Sequence, residues 1–448
     1  MNLPTSWQAA KISQIIDDIV GGGTPTKTNP ENFKGNIPFM TVKDMRGRLI
    51  TNTIDKISED ALHNSATTLV PPDTLVIATR MALGKIAKTT QATAINQDIK
   101  AIYPSNGIEK RYIEHFWRHR AQYIESIGTG TTVKGVRLED IRSLSIPVAP
   151  SNEQRRIADK LDRILARVEA TNEHLSRVAP LIKRFRQSVL SAATSGKLTE
   201  DWRGKKTNWN TATIGQVLAD IRYGTAKKCS HDHKGTAVLR IPNMGNHGRI
   251  ELSDLKYAEF TQKEHKSFAL QPGDLLLIRS NGSVDLVGKT SVVDKASAGL
   301  LFAGYLMRLR IQEDIALPSY IQFALSSPEQ RQRVESIARS TSGVNNINTE
   351  EVRSLPFLLP PIDEQSEIVR RVEKLFSFAD RLEERLSQAQ AAVQKLTPAL
   401  LAKAFRGELV PQDPNDEPAS ELLKRLQENR SEGTKPSRAR KPRARKSP

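Results

Sequence analysis

The residues that could bind phosphate occur in this chain only in incomplete patterns. A phosphate-binding loop needs two glycines with four residues between them, followed by Lys and then Ser or Thr, so that backbone amides and the lysine amine surround the phosphates. The nearest stretch, GSVDLVGKT at 282–290, has five residues between its glycines, and we interpret it as an ordinary turn. GGGTPT at 21–26 resembles such a loop only in its glycine content.

The residues that could hold a metal ion or support a reaction are equally incomplete. Cys229, His231 and His233 could crowd a metal, but zinc sites take ligand pairs from two clusters and no second cluster is apparent. Adenine methylation would need Asn-Pro-Pro or Asp-Pro-Pro before an aromatic residue, and NPEN at 29–32 and DPND at 413–416 lack the second proline. We predict no catalytic, cofactor-binding or metal-binding residue here; an enzyme with an atypical site is the rival interpretation.

The composition favours a polyanionic partner. The chain has 67 Lys and Arg against 50 Asp and Glu, a formal charge of +17, which is typical of nucleic-acid-binding proteins, although a basic protein without such a partner is the alternative. The single cysteine, Cys229, excludes an internal disulfide and fits a reducing compartment. No stretch approaches the ~20 apolar residues of a membrane span, so we expect a cytoplasmic protein without membrane contact.

Two stretches show the alternating four- and three-residue spacing of a helix that packs on a partner helix. The first seam is Ile157, Leu161, Ile164, Val168, Thr171, Leu175, Val178, Ile182, Phe185 and Val189. Adding 211 to each number gives the second seam, which is Ile368, Val372, Leu375, Ala379, Leu382, Leu386, Ala389, Val393, Leu396 and Leu400. Two stretches of equal length at one offset indicate an internal repeat.

The residues that flank both seams obey the same offset. Asn152 and Asp363 stand where N-caps are expected, because their side chains can accept the first free amides of a helix. Gly196 and Gly407 stand where a helix commonly ends in a left-handed residue. We therefore predict that each helix begins and ends at these residues.

The two helices are predicted to run antiparallel. About 43 residues at ~1.5 Å each make a rod roughly 65 Å long, whereas the intervening segment forms a compact domain of ~15 Å radius of gyration. A parallel pair would force that domain to span the rod, and an antiparallel pair lets the chain leave and return at one end. Pro180 and Pro398 are potential kinks, so the rod need not be straight.

The globular segments also repeat. TLVIATR at 74–80 matches DLLLIRSNG at 274–282, and Trp7 matches Trp209. The predicted fold class is α+β, with two similar mixed α/β domains joined by two long antiparallel helices, a coiled coil with pseudo-twofold symmetry. The predicted boundaries are 1–150 and 207–358 for the domains, 151–206 and 359–410 for the helices, and 411–448 for a basic, disordered tail in which 411–430 could hold a short helix.

Two short motifs accompany the repeat. Each helix opens on Pro-x-x-Glu-Gln, in PSNEQRRI at 150–157 and PIDEQSEI at 361–368, and each ends on Gly-x-Leu, in GKL at 196–198 and GEL at 407–409. Together with the repeat of domain and helix, these motifs resemble the specificity subunit of type I restriction–modification enzymes. The resemblance covers residues 1 to about 410.

That resemblance implies a noncatalytic subunit whose two target-recognition domains each read half of a bipartite, asymmetric site on double-stranded DNA. It implies two methyltransferase subunits docked on the helices and restriction/translocase subunits that join them. S-adenosylmethionine, ATP and Mg would belong to those partners, and none of them to this chain. The alternative is a coiled-coil interaction scaffold without sequence-specific DNA binding.

Candidate DNA contacts are loop side chains that can donate to base edges or phosphates. In the first domain they are Lys43, Arg46, Arg48, Arg80, Lys85, Thr131, Thr132 and Lys134. In the second they are Asn243, Asn246, Arg249, Arg279, Asn281, Asn345 and Asn346. The family has no short motif that fixes these positions, so each could equally be a solvated surface residue. Arg80 and Arg279 end apolar strands at matching places and could instead pair with carboxylates inside their domains.

Overall fold

A computed structural model describes residues 3–204, 209–339 and 343–432. The chain forms two compact units, the first made of Met1–His174 and Ala389–Pro448 and the second of Leu175–Gln388. Each long helix crosses the boundary, so each unit combines a globular segment with half of each helix. In the described part of the chain, no helix is long and apolar enough to cross a membrane.

The strands and helices follow the chain in this order. The strands of the first unit are β1 (Gln8–Lys11), β2 (Ile16–Gly21), β3 (Ile37–Met40), β4 (Leu49–Ile50), β5 (Asp55–Ile57), β6 (Thr68–Val70), β7 (Leu75–Ala78), β8 (Ile86–Thr89), β9 (Thr93–Ile95), β10 (Ile99–Pro104) and β11 (Ser145–Val148). Those of the second are β12 (Asn210–Thr213), β13 (Leu218–Tyr223), β14 (Thr236–Leu239), β15 (Lys256–Ala258), β16 (Leu275–Ile278), β17 (Ser280–Asn281), β18 (Thr290–Val292), β19 (Leu301–Phe302), β20 (Leu306–Ile311), β21 (Asn345–Asn346) and β22 (Pro356–Leu359). The helices are α1 (Ile12–Ile15), α2 (Glu59–His63), α3 (Lys110–Ser126), α4 (Leu138–Ser143), α5 (Ser151–Thr194), α6 (Glu200–Arg203), α7 (Gln262–Phe268), α8 (Pro318–Ser326), α9 (Pro328–Ala338), α10 (Thr349–Arg353), α11 (Ile362–Phe405) and α12 (Ala419–Glu432).

The two units share most of their sheet topology, although the second lacks counterparts of β4 and β6 and has an additional two-stranded pair, β17-β21. The first has a sheet of order β2-β10-β7-β8-β4, a second of order β5-β3-β9-β6 and the pair β1-β11. The second unit has β13-β20-β16-β18, β15-β14-β19 and the pair β12-β22. The parallel pair β3·β9 has its counterpart in the parallel pair β14·β19. The predicted duplication of an α+β domain is confirmed.

The central strand of each unit is buried on both faces. Leu75 and Ile77 of β7 face one core, and Val76 and Ala78 face another, because successive side chains in a strand point to opposite sides of the sheet. In β16 the alternating residues divide between two cores in the same way. A continuous apolar run such as LVIA or LLLI is the sequence of a strand covered on both sides.

The long helices pack antiparallel within each unit. In the first, Ile157 near the start of α5 shares a core with Leu401 and Phe405 near the end of α11. In the second, Val189 near the end of α5 shares a core with Ile368 near the start of α11. The antiparallel prediction is confirmed.

The predicted seam residues differ in burial. The buried ones are Ile157, Leu161, Val168, Ile182, Val189, Ile368, Val372, Ala379, Leu386 and Val393. The half-buried ones are Ile164, Leu175, Val178, Phe185, Leu375, Leu382, Ala389 and Leu400, and Thr171 and Leu396 are exposed. Leu165, one position from Ile164, is buried instead. An α-helix with 3.6 residues per turn drifts from a strict heptad, which is the reason that the buried position moves.

The helix starts were predicted wrongly and the helix ends correctly. α5 and α11 begin at Ser151 and Ile362, so Asn152 and Asp363 lie inside the first turn. Each helix begins directly after a proline whose carbonyl accepts the first helical amide, from Gln154 in α5 and Gln365 in α11, at 2.9 Å.

The helix ends follow the predicted glycines. Gly196 and Gly407 have φ of 82° and 78°, which is the left-handed conformation that ends a helix. Both helices continue through their prolines, Pro180 and Pro398.

Residues 317–338 form two helices, α8 and α9, which are separated at Ser327. This residue is extended (ψ 148°) because a residue before proline avoids the helical conformation. One further prediction needs correction. The prediction of a disordered tail over 411–448 is wrong for α12, whose Ala419, Leu422 and Leu426 join the core of the first unit. Residues 433–448 lie outside the described part of the chain.

Candidate nucleic-acid interface

In the first unit, the chain that leaves β7 is bonded to the loop that precedes α4. Arg80 and Gly135 form an antiparallel bridge, and Thr129 bridges Gly135 as well. The amide of Val136 donates to the carbonyl of Thr79 at 2.9 Å, and that of Met81 donates to the carbonyl of Lys134 at 3.1 Å. We call residues 80–82 and 129–135 the first edge.

The first edge carries four of the predicted DNA-binding residues. Arg80, Thr131, Thr132 and Lys134 are all exposed. Arg80 forms a long ion pair, in which its Nη1 lies 3.7 Å from Asp98 Oδ1. These side chains are therefore free to donate hydrogen bonds outwards from one place.

The second unit builds its counterpart from the chain that leaves β16. β17 and β21 pair antiparallel, with Ser280 opposite Asn346 and Asn281 opposite Asn345. The Nδ2 group of Asn345 donates to the carbonyl of Gly282 at 2.9 Å. We call residues 279–283, 303–305 and 343–347 the second edge.

The register shows that Arg80 and Arg279 are not at matching positions. The amide of Ile347 donates to the carbonyl of Arg279 at 2.8 Å, as that of Val136 donates to Thr79. Arg279 therefore matches Thr79, and Arg80 matches Ser280. Because neighbouring residues of an extended chain point to opposite sides, the two arginines project differently, and the predicted equivalence is wrong by one residue.

Arg279 is held inside its domain. Its guanidinium carbon lies 4.4 Å from the centre of the Tyr223 ring, and Nη1 donates to the carbonyl of Gly304 at 3.2 Å. A guanidinium stacked on an aromatic ring in this way stabilises the fold. Arg279 thus supports the second edge from behind, whereas Asn281, Asn345 and Asn346 form its outer part.

Most of the other predicted residues of the first unit border a cavity of about 980 Å³ between the domain and its helices. Arg46, Arg48 and Lys85 line it. Lys85 Nζ donates to the carbonyl of Met45 at 3.0 Å, and Arg46 Nε donates to that of Lys43 at 3.3 Å. Lys43, Arg46 and Lys85 are exposed and remain candidate phosphate contacts.

Arg48 has a structural role instead. Its Nε lies 2.6 Å from Glu114 on α3, whose side chain is 4% exposed, and its Nη2 lies 2.8 Å from Asp162 on α5. Asp162 also meets His115, at 3.0 Å. Burial lowers the pKa of His115 to about 4, so this ring is neutral at pH 7. The network ties the β4 segment to both helices, and the prediction that Arg48 contacts DNA loses its basis.

Asn243 was also predicted wrongly, because it is buried. Its Oδ1 accepts the amide of Arg240 at 2.9 Å, and its Nδ2 donates to the carbonyls of Glu251 and Asp254 at 2.9 and 3.0 Å. Every bonding group of the side chain is therefore used to shape the loop. Arg249 is exposed and approaches Asp380 at 3.3 Å; for Asn246, the structure describes only the backbone.

Two clusters bear on metal binding. In the Cys229 loop, Nε2 of His231 lies 3.0 Å from Oδ1 of Asp254, so this histidine already has a partner within its domain. His247, Asp380 and Glu383 offer donor atoms within 4.8 Å of one another. The buried guanidinium of Arg186 already lies 2.6 Å from Asp380 and 3.3 Å from Glu383, so a cation there would compete with a resident positive charge.

The Glu-Gln pair that opens each long helix is structural. Glu153 accepts the indole N–H of Trp7 at 3.0 Å, and Glu364 accepts that of Trp209 at 2.9 Å. Burial raises the pKa of Glu153. Gln412 donates to Glu153 at 2.6 Å, which brings the chain after α11 onto the start of α5. The motif therefore fastens each domain to its helix.

Sequence reasoning missed the apolar members of the edges. Met81 and Val133 are 58% and 38% exposed in the first edge, and Tyr305 and Val344 are 64% and 54% exposed in the second. The available signal was an apolar residue inside an otherwise polar loop, as in TTVKG and SGVNN.

The similarity to known proteins extends over nearly the whole chain. Residues 4–179 and 206–389 each match the family model described as the type I restriction modification DNA specificity domain. The EcoKI specificity subunit of Escherichia coli K12 is 32% identical over 97% of this chain and 98% of its own length. The StySPI specificity subunit of Salmonella potsdam is 30% identical with the same coverage.

Solved structures show the same fold. One solved structure concerns complex assembly and conformational transition of the type I R-M system. A chain in it superposes with a TM-score of 0.65 at 19% identity, covering 91% of this chain and all of that one. The HsdS subunit from Thermoanaerobacter tengcongensis superposes with a TM-score of 0.58 at 18% identity, covering 91% of this chain and 99% of that one.

Proposed function

The chain belongs to the type I restriction modification DNA specificity family, as the DNA-recognising specificity subunit, and we propose that each of its units reads one half of a bipartite, asymmetric site through the edge defined above. The observation that carries the proposal is that the two edges have the same backbone arrangement but different side chains. Both edges join the end of the central strand to the loop before a short helix, but the first presents Arg, Thr and Lys and the second presents Asn.

The side chains suggest unlike half-sites. Arg pairs with the O6 and N7 acceptors of guanine, whereas Asn pairs with N7 and the amino group of adenine, and each good pair discriminates by about 1–3 kcal/mol. Arg80 and Lys134 therefore favour guanine in one half-site, and the exposed Asn346 favours adenine in the other, whereas Asn281 and Asn345 already bond within the edge. Lys43, Arg46, Lys85 and Arg249 would add phosphate contacts, which position the protein without reading sequence.

The chain would act without catalysing. We propose that methyltransferase subunits dock on the long helices and hold S-adenosylmethionine, and that restriction/translocase subunits use ATP and Mg. Exposed apolar residues on both helices support docking, with Leu181 on α5 and Phe378 on α11 at 58% and 47% exposure. Large apolar side chains in water mark interaction sites when they cluster.

The test is methylation mapping. The chain is coexpressed with its cognate methyltransferase subunit in a host without restriction systems, and modified adenines are located by single-molecule sequencing. We expect one asymmetric motif of two parts separated by unspecified bases, absent when either subunit is omitted. A motif that stays the same when this chain is replaced by an unrelated specificity subunit would refute the proposal.

A further inference from the structure

Both edges carry exposed apolar side chains. In the first edge, Met81 is bonded through its amide to Lys134, the neighbour of Val133. In the second, the carbonyl of Tyr305 accepts the amide of Arg279 at 3.0 Å, while Val344 adjoins Asn345 in β21. Each edge therefore displays two large apolar side chains beside its polar donors.

The backbone of the first edge supports a specific use of Met81. Its φ is 61°, a left-handed conformation that residues with a side chain other than Asn or Asp seldom adopt. Strained residues of this kind persist where the surrounding structure holds them, and they occur disproportionately at functional sites. The bridge of Arg80 to Gly135 and the bond from Met81 to Lys134 provide that restraint.

The chemistry of the neighbours identifies what the apolar groups would meet. Cations and amides next to exposed apolar carbon match the major groove, where each base pair presents hydrogen-bonding atoms and thymine adds a methyl group. A phosphate backbone would use the cations and leave the apolar side chains in water.

On the basis of the function proposed above, we propose that Met81 and Val133 in the first edge, and Tyr305 and Val344 in the second, are specificity-determining residues that contact thymine methyl groups. Each edge thus combines a polar contact to one base with an apolar contact to a neighbouring thymine. Removing an apolar side chain should broaden the sequence preference at one position and leave the rest of the motif intact.

The test uses the complex of the full chain with its methyltransferase subunits. DNA pools in which each specified position is randomised are methylated and sequenced, for the wild type and for Met81→Ala, Val133→Ala, Tyr305→Ala and Val344→Ala. We expect the thymine preference to fall roughly tenfold at one position. The first two variants should change only one half-site, and the last two only the other.

A chemical probe separates methyl contact from other effects. DNA with uracil in place of thymine lacks only the methyl group, so the wild type should lose rate on it at the affected position. Met81→Ala and Val344→Ala should treat uracil and thymine alike there. Leu69→Ala and Ile337→Ala, which remove exposed apolar side chains from β6 and α9, should behave as the wild type, and Met81→Gln keeps the test open if Met81→Ala does not fold.

The outcomes are distinct. Unchanged preferences in all four variants, or indifference of the wild type to uracil in both half-sites, overturns the role of these residues while the methylation motif still supports the proposed function. Absence of any motif from the wild type refutes the proposed function itself. A change of the same size in Leu69→Ala or Ile337→Ala also overturns the inference, because exposure alone would then explain it.

Discussion

Replacing Arg48 by Leu should destabilise the first unit without changing the DNA sequence recognised. Loss of the guanidinium leaves Glu114 buried without its partner at 2.6 Å and removes one bond from Asp162. Breaking a fully buried ion pair costs about 3–5 kcal/mol. Because Arg48 and Asp162 are 31% and 28% exposed, water can compensate in part, and we expect about 2–3 kcal/mol.

Thermal unfolding of the purified chain measures this effect. A loss of that size in a unit of this length lowers its melting temperature by about 5–10 °C. Arg46→Leu is the matched control, since Arg46 is exposed and its Nε donates to the carbonyl of Lys43, and its effect should stay within about 0.5 kcal/mol. Arg48→Leu combined with Glu114→Leu should recover part of the loss, because no buried charge then lacks a partner.

The DNA assay decides between the two roles of Arg48. In the methyltransferase complex, Arg48→Leu should modify the same motif as the wild type. An unchanged melting temperature together with an altered motif, or with weaker binding to every sequence, would refute the structural role and restore Arg48 as a DNA contact.

Three other predictions concern His115, Gly407 and residues 433–448. The pKa of His115 is lowered from 6.5 to about 4, so the folded chain holds this ring neutral, and its contribution to stability is present above pH 6.5 and is lost as pH falls towards 4. His115→Gln should therefore flatten the dependence of melting temperature on pH between these two values. An unchanged slope contradicts the assignment. Gly407→Ala should cost about 1–2 kcal/mol, since φ is +78° and an added Cβ would lie 2.4 Å from Pro4 Cγ, whereas Gly47→Ala, with nothing within 4 Å, should be neutral. Residues 433–448 hold seven Lys and Arg and no acid. Deleting them should reduce the slope of log DNA affinity against log salt concentration by up to ~6 and leave the recognised motif unchanged. A changed motif would show that this segment reads bases.

The long helices could be predicted because local rules determine them. A heptad seam, a left-handed glycine and a repeat at one offset each report on backbone geometry over a few turns. The predicted N-caps were wrong because Pro150 and Pro361 occupy the position directly before each helix, which places Asn152 and Asp363 at the second helical residue. α12 was only suggested because its stability comes from apolar contacts with residues more than 400 positions away, such as Trp7, which no local pattern reports.

The candidate contacts divide for a related reason. Exposed donors such as Lys134 and Asn346 were found from residue type and loop context. Arg48 and Asn243 have the same residue types, yet Glu114 and the carbonyls of Glu251 and Asp254 use their bonding groups. Whether a polar side chain faces water or a buried partner depends on segments far apart in sequence, and composition cannot distinguish the two cases.

Each edge joins two segments that match their counterparts in the other unit at different distances along the sequence. Ala78 and Ile278 occupy matching places in β7 and β16 and are 200 positions apart, whereas Gly135 and Asn346 occupy matching places in the adjoining loops and are 211 apart. The second unit therefore has eleven more residues than the first between the strand and the adjoining loop, while the strand pairing is the same. A domain can accept such a difference in its edge, because surface loops accept insertions at small entropic cost. Exchanging residues 129–135 alone should for that reason disturb recognition, since the partner residues 80–82 would keep the donors and the left-handed Met81 of the original edge.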